Sequence, residues 1–293
     1  MFSSGWRNIV IDSESKLNYE NHNLIISQNE LTNSIPISDI RLLMINSVKT
    51  QITVWLINEL IKNNVMVVFC DEKRNPQCEI LGLHCNNFSA GRIDEQFSWD
   101  KSITEKIWIK IISNKILCQA MLLKKYNLKN ASVLMDIAKS ISIKNVDFSE
   151  ANAAKLYFRS LFGEKFSRKT DCNINSALNY GYTLLLSSFN RSIVMHGYNT
   201  CKGIHHCSKS NPYNLSCDLM EPFRPFYDEY IYLNNERQLD WEYKKELIAL
   251  FLKPVTYDNK NTELQTAVEM YSDNVLKSLS GEIEKIKEVG FYG

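Results

Sequence analysis

The chain has 293 residues, of which 44% are hydrophobic and 23% charged, and this is the composition of an ordinary folded, soluble protein. Its longest uninterrupted apolar run covers residues 65–70, far short of the roughly 18 residues that a membrane-spanning helix needs. The N-terminus has no basic stretch followed by an apolar one, so we expect no secretory signal, no membrane partner and a cytoplasmic location.

Short strand-forming segments separated by polar turns predict that the chain begins with β-structure. The predicted strands cover residues 8–12, 16–20, 24–27, 34–37 and 40–46. The hydrophobic period then changes, because Ile52, Leu56 and Leu60 have helical spacing and predict a helix over residues 48–63. The apolar residues 65–70 predict a buried strand. We therefore expect residues 1–75 to form a β-rich domain.

The remainder of the chain has helical periodicity. The predicted helices cover residues 98–126, 132–141, 149–162, 175–194, 218–233, 241–252 and 263–279. Ser149 is the predicted N-cap of the third of these helices, and Gly163 its C-terminal stop. The fold class that we predict is α+β, with a β-strand-rich N-terminal domain followed by a larger all-α catalytic domain, residues 76–293.

The net charge of +1 conceals an uneven distribution of charged residues. Residues 101–169 contain 14 Lys and Arg but only 5 Asp and Glu, whereas residues 221–293 contain 9 basic and 14 acidic residues. A basic middle segment suits a phosphate backbone, although charge alone predicts a solvated helix surface at least as well.

Carboxylate and imidazole side chains cluster at three places in the helical part. Glu150 falls in the first turn of a predicted helix, where the helix dipole favours a carboxylate and charge compensation is the simple explanation. The adjacent His205 and His206 follow a predicted turn. Asp218 and Glu221 are three residues apart and so share one face of a predicted helix, with an ion-paired surface as the alternative.

These side chains form a hard set of ligands dominated by oxygen. Mg²⁺ prefers a few carboxylates together with substrate phosphate oxygens, and Mn²⁺ also accepts an imidazole nitrogen. Such a metal polarises a phosphoryl oxygen, which predicts phosphodiester chemistry in outline. Structural zinc is the less favoured alternative, because the spacing of Cys201, Cys207 and Cys217 around the histidines matches no common zinc pattern.

Four motifs occur in order over residues 150–228 and together resemble a known family. They are Glu150-x-x-Ala-Ala-Lys-x-Tyr-Phe-x-x-Leu-Phe-Gly163, Leu178-Asn-Tyr-Gly-Tyr182, Gly203-Ile-His-His206 and Asp218-Leu-Met-Glu-Pro-Phe-Arg-Pro225. The sequence is similar to the CRISPR-associated spacer-acquisition integrase, the adaptation endonuclease of prokaryotic immunity, and most similar to its type II form. The strand-rich beginning before a helical body also fits that family.

The resemblance implies a metal-dependent DNA integrase. Members of the family join the 3′-hydroxyl ends of short foreign DNA duplexes, the protospacers, to the leader-proximal CRISPR repeat by transesterification with Mg²⁺ or Mn²⁺. Carried over, the family's metal-binding and catalytic triad falls on Glu150, His206 and Glu221. His206 is chosen over His205 because it has the position of the single histidine in other members, and His205 becomes a supporting residue.

The sequence departs from the commonest family pattern at the second acid. Many members have Asp at the position of Glu221, whereas this chain has the longer acid there and Asp218 three residues earlier. The extra methylene moves the carboxylate by about 1.5 Å, which leaves open which of the two acids is the direct ligand. We favour Glu221, with Asp218 supporting it or acting through a water molecule.

The resemblance also implies partners. The family binds double-stranded DNA, and its β-rich domain forms much of a homodimer that assembles with a small ferredoxin-like subunit in a 4:2 complex. The RNA-guided effector nuclease and an accessory adaptation protein are further candidate partners. Basic residues near the predicted site are candidates for contacts with DNA phosphates, namely Lys155, Arg159, Lys165, Arg168, Lys202 and Arg224.

Two other functions are weighed against the integrase. A DNA-binding assembly subunit without catalytic activity would bind DNA but form no product, and such a subunit would not need the three candidate ligands. A metallohydrolase of small phosphate esters would act on nucleotides without long DNA, and the broad basic stretch disfavours it.

Overall fold

The structure is a computed structural model, and it describes residues 5–82, 86 and 89–291. The chain forms two compact units, one up to Ala90 together with Ile193–Tyr198, the other made of Gly91–Ser192 and the chain from Asn199 onward. Among the described residues, no helix is both long enough and apolar enough to span a membrane.

The described residues of the first unit form two four-stranded sheets, one complete α-helix and a 3₁₀ turn, Ile37–Asp39. The elements are β1 (Arg7–Ile11), β2 (Lys16–Glu20), β3 (Asn23–Gln28), β4 (Leu31–Pro36), β5 (Ile40–Ile45), β6 (Gln51–Ile52), α1 (Val54–Lys62), β7 (Met66–Cys70) and β8 (Pro76–Ile80). One sheet has the order β1-β5-β7-β8, in which β5 is parallel to both of its neighbours and β8 is antiparallel to β7. The other has the order β4-β3-β2-β6 and is antiparallel except for the β2–β6 pair.

Local sequence explains how this unit is built. The β2–β3 hairpin turns at Asn21 and His22, whose φ angles of 48° and 64° are those of the tight turn that suits twisted strands. One cluster of buried side chains joins both sheets to α1, and it includes Leu17, Leu43 and Leu56. The helix begins at Val54, later than predicted, because Thr53 caps it by accepting a hydrogen bond from the Leu56 N–H.

The end of the first unit lies beyond the predicted domain boundary at residue 75. Residues 76–80, which the sequence assigned to the helical domain, form β8 and pair with β7. Strand pairing therefore holds this segment in the first unit, and the units divide near Ala90.

The second unit is mainly helical. Its helices are α2 (Ser89–Phe97), α3 (Lys101–Lys125), α4 (Ala131–Ser140), α5 (Val146–Phe162), α6 (Asn173–Met195), α7 (Asn214–Leu219), α8 (Arg224–Leu233), α9 (Trp241–Ala249) and α10 (Leu264–Leu279), where α2 begins and α6 ends in residues of the first unit. It also contains a small antiparallel sheet, of order β10-β9-β11, which the prediction of an all-α domain missed. Its strands are β9 (Pro254–Tyr257), β10 (Lys260–Glu263) and β11 (Val289–Phe291).

Helix α3 is the central element of this unit. It packs against α4, α5, α8, α10 and β11, and its second half is buried around most of its circumference. A helix enclosed in this way is apolar on every side, and polar residues within it need partners. Asn114 meets this need by pairing with the backbone of Val289, donating at 2.9 Å and accepting at 3.1 Å.

The predicted α+β fold class is confirmed, with strands first and helices after them. Besides the late start of α1, two further helix predictions were wrong. Helix α5 begins at Val146, so Ser149 lies inside the helix and Glu150 in its second turn. The helix predicted over residues 218–233 is interrupted, because α7 ends at Leu219 and one 3₁₀ turn, Glu221–Phe223, separates it from α8.

Candidate active site

Four segments of the second unit bring the sequence-predicted polar residues together. They are the middle of α3, the beginning of α5, the loop between α6 and α7, and the 3₁₀ turn after α7. The loop carries the two histidines, and the turn carries Glu221. The break between α7 and α8 separates Asp218 from Glu221, so each acid faces different partners.

Asp218 holds the histidine loop through hydrogen bonds to its backbone. Its carboxylate is 0% exposed and accepts hydrogen bonds from the backbone N–H groups of Ile204 at 2.6 Å, His205 at 3.0 Å and His206 at 3.2 Å. The His206 Nδ1 lies 2.6 Å from the same carboxylate. These four contacts use the usual acceptor capacity of a carboxylate. Asp218 therefore holds His206 in place.

The bond to Asp218 also decides which nitrogen of His206 is available. Because a carboxylate accepts, Nδ1 carries a proton, and in the neutral imidazole Nε2 keeps the lone pair. This hydrogen bond raises the pKa of His206 above its usual value, while burial opposes the shift and the charges of Glu221 and Glu150 add to it. The side chain is 43% exposed, so the site is open at the imidazole.

Gly203 allows the loop to approach this closely. A Cβ at this position would lie 2.4 Å from the carbonyl oxygen of His206 and 2.7 Å from Asp218 Oδ2. Any larger residue would displace the segment that carries the imidazole. This contact explains the glycine of the Gly203-Ile-His-His206 motif.

Glu221 is a buried carboxylate, 4% exposed, between two cations. Arg224 Nη2 lies 2.9 Å from its Oε1, and Lys115 Nζ lies 2.6 Å from its Oε2. Burial alone would raise the pKa of Glu221, but Arg224 and Lys115 outweigh it and lower the pKa to about 2. Glu221 is therefore ionised at neutral pH.

Lys115 contacts Glu150 as well, with its Nζ 2.6 Å from Oε1 of that residue. Burial would lower the pKa of Lys115, but Glu221 and Glu150 raise it above its usual value. The ammonium thus bridges two carboxylates from segments that are 71 positions apart in the sequence. The solvated helix surface that charge alone predicted for residues 101–169 does not describe Lys115, which is buried.

The structure thus brings Glu150, His206 and Glu221 into one neighbourhood but not into a closed ligand set. Across residues 5–82, 86 and 89–291, no three His, Cys, Asp or Glu side chains converge closely enough to hold a metal ion, zinc included. The reason at this site is electrostatic, because the Lys115 ammonium lies between the two glutamates.

The donor set nevertheless suits a hard divalent cation. Two carboxylates and an imidazole are ligands that Mg²⁺ and Mn²⁺ accept. Oε2 of Glu221 is buried and makes no aligned hydrogen bond, although it lies 2.6 Å from the Lys115 ammonium. A buried carboxylate oxygen that faces a cation is suited to act as a metal ligand, so the residues present fit a divalent metal.

His205 has a different environment from His206. Its ring stacks on Trp108 at a centroid distance of 4.4 Å and an interplanar angle of 8°, and its Nε2 lies 3.3 Å from Asp147. The Trp108 ring also meets His206 edge-on at 5.8 Å. Trp108 and Lys115, two helical turns apart on α3, therefore form a wall of the site that sequence reasoning missed.

A signal for Lys115 was present in the sequence. It lies four residues after Ile111 and seven after Trp108, so helical periodicity places it on the same face as apolar side chains. A lysine on such a face needs an acidic partner when the helix is buried.

A further buried acid, Asp228, lies close to the site. It is 1% exposed and accepts hydrogen bonds from the hydroxyls of Tyr182 at 2.5 Å and Tyr157 at 2.9 Å. Burial raises the pKa of Asp228 to about 6, although the two hydroxyls oppose the shift. Arg224 lies over the Tyr182 ring at 4.6 Å and so connects this cluster to Glu221.

The residues predicted to contact DNA fall into two groups. Arg168 donates to Asn175 at 2.5 Å and to Asn179 at 2.8 Å, and Arg224 is paired with Glu221, so both side chains are engaged within the protein. The other candidates are exposed, namely Lys155, Arg159, Lys165 and Lys202.

Comparison with known proteins adds family relationships to this geometry. The family model described as CRISPR associated protein Cas1 matches residues 9–265. A CRISPR-associated endonuclease Cas1 from Neisseria meningitidis serogroup C is 32% identical over 224 residues, covering 76% of this chain and 74% of that protein. One from Pyrobaculum aerophilum is 25% identical over 272 residues, covering 85% and 89% respectively.

Solved structures share the fold. A casposase bound to its integration product has a TM-score of 0.75 and 19% identity, covering 96% of this chain and 92% of that one. A chain of a Cas6-RT-Cas1–Cas2 complex has a TM-score of 0.71 and 18% identity, covering all of this chain and 37% of that one. A CAS1 protein from Thermotoga maritima has a TM-score of 0.53 and 16% identity, with 96% and 98% covered.

Proposed function

The chain belongs to the Cas1 family of CRISPR-associated proteins, and from this premise we propose that it is a DNA integrase and endonuclease of CRISPR adaptation. Its reaction joins the 3′-hydroxyl ends of short foreign duplexes to the leader-proximal repeat by transesterification. The related proteins are named endonucleases, and the casposase with the similar fold was solved with an integration product, which supports this reaction class.

One observation of the structure carries the proposal at the level of chemistry. Glu150 and Glu221 come from distant segments, yet their carboxylates converge on a single cation position beside His206. Two carboxylates that converge in a partly buried site repel each other unless a cation lies between them, so their convergence indicates a site built for positive charge.

Glu150, Glu221 and Nε2 of His206 would hold Mg²⁺ or Mn²⁺. The bound metal would polarise the scissile phosphoryl group and orient the attacking 3′-hydroxyl. Asp218 keeps the proton of His206 on Nδ1, which leaves Nε2 to face the site. Arg224 keeps Glu221 ionised and fixed through their 2.9 Å ion pair. Trp108 supports His205, and the open side at His206 admits substrate.

The partners follow from the same premise. The names of the similar structures include Cas1–Cas2 complexes and a Cas1–DNA complex, which supports binding of DNA and of a Cas2 subunit by this chain. We extend the proposal to a homodimer formed through the β-rich unit and a 4:2 assembly with the small ferredoxin-like subunit. The exposed basic residues of the second unit are the candidate phosphate contacts, namely Lys155, Arg159, Lys165 and Lys202.

A strand-transfer assay tests the proposal. Purified protein is incubated with supercoiled plasmid that carries a CRISPR repeat and with a labelled short duplex, with Mg²⁺ or Mn²⁺ present or chelated. We expect metal-dependent joining of label to plasmid that is lost when the 3′ ends are blocked. DNA binding without joining, with the ferredoxin-like subunit also present, would instead identify a non-catalytic assembly subunit.

A further inference from the structure

The lysine between the two glutamates is unusual for its place in the fold. Lys115 lies in the middle of the central helix, is 8% exposed, and makes two ion pairs of 2.6 Å, one with Glu150 and one with Glu221. Its ammonium is positively charged and contacts the two carboxylates that a bound metal ion would contact. The motifs that identify the family do not include this residue.

We propose that Lys115 is the resident counter-cation of the metal site, whose ammonium fills the position between Glu150 and Glu221 until a divalent cation replaces it. The inference rests on the proposed function, because it takes these two glutamates as metal ligands. An ammonium and a divalent ion repel each other strongly at contact distance, so the two exclude one another from the carboxylate pair.

The geometry explains why such a residue is useful. Without a cation, the carboxylates of Glu150 and Glu221 would repel each other in a partly buried site, and Arg224 contacts only Glu221. Lys115 balances the charge of both carboxylates and holds them together before metal arrives. The open side of the site, where the His206 side chain is 43% exposed, gives the displaced ammonium a route to solvent or to substrate phosphate.

Removal of the charge at Lys115 has two consequences with opposite signs. Lys115→Met keeps the length and the apolar stem of the side chain but leaves the carboxylates without their shared cation. The chelated protein then loses thermal stability, because two like charges are left close together in a partly buried site. The affinity for Mn²⁺ rises by about tenfold or more, since the metal no longer competes with a unit charge at contact distance.

The matched control is a second lysine–glutamate pair in the same unit, in which the glutamate is buried and the lysine is partly buried. Lys253 pairs with Glu229, which is 3% exposed and keeps another cation, Lys125, at 2.9 Å. Glu221 likewise keeps Arg224 when Lys115 is replaced. Lys253→Met therefore reproduces the loss of a buried ion pair, without any effect expected on metal binding.

The test is calorimetric titration of Mn²⁺ into the wild type, Lys115→Met, Lys253→Met and Glu221→Gln, paired with thermal unfolding in chelator and in Mn²⁺. We expect tighter binding and a larger Mn²⁺-induced rise in Tm for Lys115→Met alone. Equal affinity of Lys115→Met and the wild type, with binding lost in Glu221→Gln, would overturn the inference and leave the proposed metal site intact. Absence of binding in the wild type at millimolar Mn²⁺ would overturn both.

A measurement on the wild type removes the dependence on a folded variant. Acetylation of lysines, followed by mass spectrometry, is compared in chelator and in saturating Mn²⁺. We expect Lys115 to react slowly in chelator and several-fold faster with Mn²⁺, while Lys253 reacts equally in both. Unchanged protection of Lys115 under saturating Mn²⁺ would show that the ammonium stays in place and would overturn the inference.

Discussion

Glu221 and Asp228 are two buried acids seven residues apart, and their surroundings give them opposite tendencies to ionise. Glu221 faces Lys115 and Arg224, and its pKa falls to about 2 despite burial. Asp228 faces the hydroxyls of Tyr157 and Tyr182, and its pKa rises to about 6 because burial outweighs those hydrogen bonds. Full opposite charges overcome the cost of burial, whereas hydroxyl donors offset only part of it.

Arg224 connects the two clusters physically. It pairs with Glu221 at 2.9 Å and lies over the ring of Tyr182, whose hydroxyl binds Asp228. Burial raises the pKa of Tyr182 well above its usual value, so its hydroxyl stays protonated and donates. The Asp228 cluster thus positions Arg224, which pairs with Glu221. Of the two acids, only Glu221 belongs to the predicted catalytic triad.

The largest expected effect is on the rate of DNA strand joining, which should depend on Glu221 but not on Asp228. Glu221→Gln removes a charged candidate ligand, and we expect DNA strand joining to fall by more than the roughly 100-fold that marks loss of a residue supporting a ligand. His206→Ala should do the same. Asp228→Asn preserves the shape of the side chain and one of its two acceptor oxygens. Its rate should stay within about tenfold of the wild type.

Joining rates at fixed Mn²⁺, with circular dichroism to verify folding, measure this difference. Near wild-type joining by Glu221→Gln or by His206→Ala would show that the proposed triad is wrong. An equally large loss in Asp228→Asn would show that the two clusters act as one unit.

The second prediction compares Asp228 and Glu221 by the pH dependence of the free energy of unfolding, measured in chelator. The folded pKa of Asp228, about 6, exceeds its ordinary value of 3.8, so its contribution is fully present below about pH 3.8 and is lost as pH rises through about 6. That loss is roughly 3 kcal/mol, from about two pKa units. Asp228→Asn should therefore gain stability relative to the wild type between pH 4 and 7.

Glu221 should show the opposite sign. Its folded pKa of about 2 lies below the ordinary 4.5, so its contribution is present above about pH 4.5 and is lost as pH falls towards 2. Glu221→Gln should be most destabilised above pH 4.5, by roughly 3 kcal/mol. Urea unfolding of both variants from pH 3.5 to pH 7 measures the two signs, and parallel pH profiles would contradict the assignment.

Sequence patterns predicted the parts of this molecule that depend on local residues. Alternating strands and periodic helices predicted most elements, and ordered motifs brought Glu150, His206 and Glu221 to attention. The start of α5 was missed because its N-cap, Asn145, makes no side-chain capping bond, whereas Ser149 looked like a better cap. Strand β11 was missed because it pairs with β9 across more than 30 residues of intervening chain, whereas β9 and β10 form a local hairpin of two four-residue strands that the sequence patterns did not indicate.

Part of the candidate site could not be predicted from the sequence, because it depends on contacts between distant segments. Lys115 and Trp108 belong to a helix whose lysines otherwise suggested a solvated surface, and only packing in three dimensions shows that α3 is enclosed. The engagement of Asp218 with three backbone N–H groups depends on the shape of the histidine loop, which no motif spacing reveals.

A third prediction concerns the loop that presents His206. Gly203→Ala places a Cβ 2.4 Å from the carbonyl oxygen of His206 and forces the loop off Asp218. We expect joining to fall by about 10- to 100-fold, because the support of a ligand is lost rather than the ligand itself. Gly91→Ala, at a position with nothing within 4 Å of the added Cβ, is the control. Joining rates of the two variants give the comparison, and equal rates would contradict this role of the loop.

The smallest expected effect tests how the hydroxyls stabilise Asp228. Tyr182→Phe keeps the ring beneath Arg224 but removes one hydrogen bond to the carboxylate, so joining should be preserved. The hydroxyl stabilises the ionised form of Asp228 more than the neutral form, and its loss should cost about 1 kcal/mol at pH 8 and less at pH 5.

Urea unfolding at the two pH values, repeated in the Asp228→Asn background, measures this dependence. In that background the loss should become independent of pH, because the group that titrates is gone. An equal loss at both pH values in the wild-type background would mean that the hydroxyl does not discriminate between the charged and the neutral acid. The difference between the two buried acids would then depend on the cations around Glu221 alone.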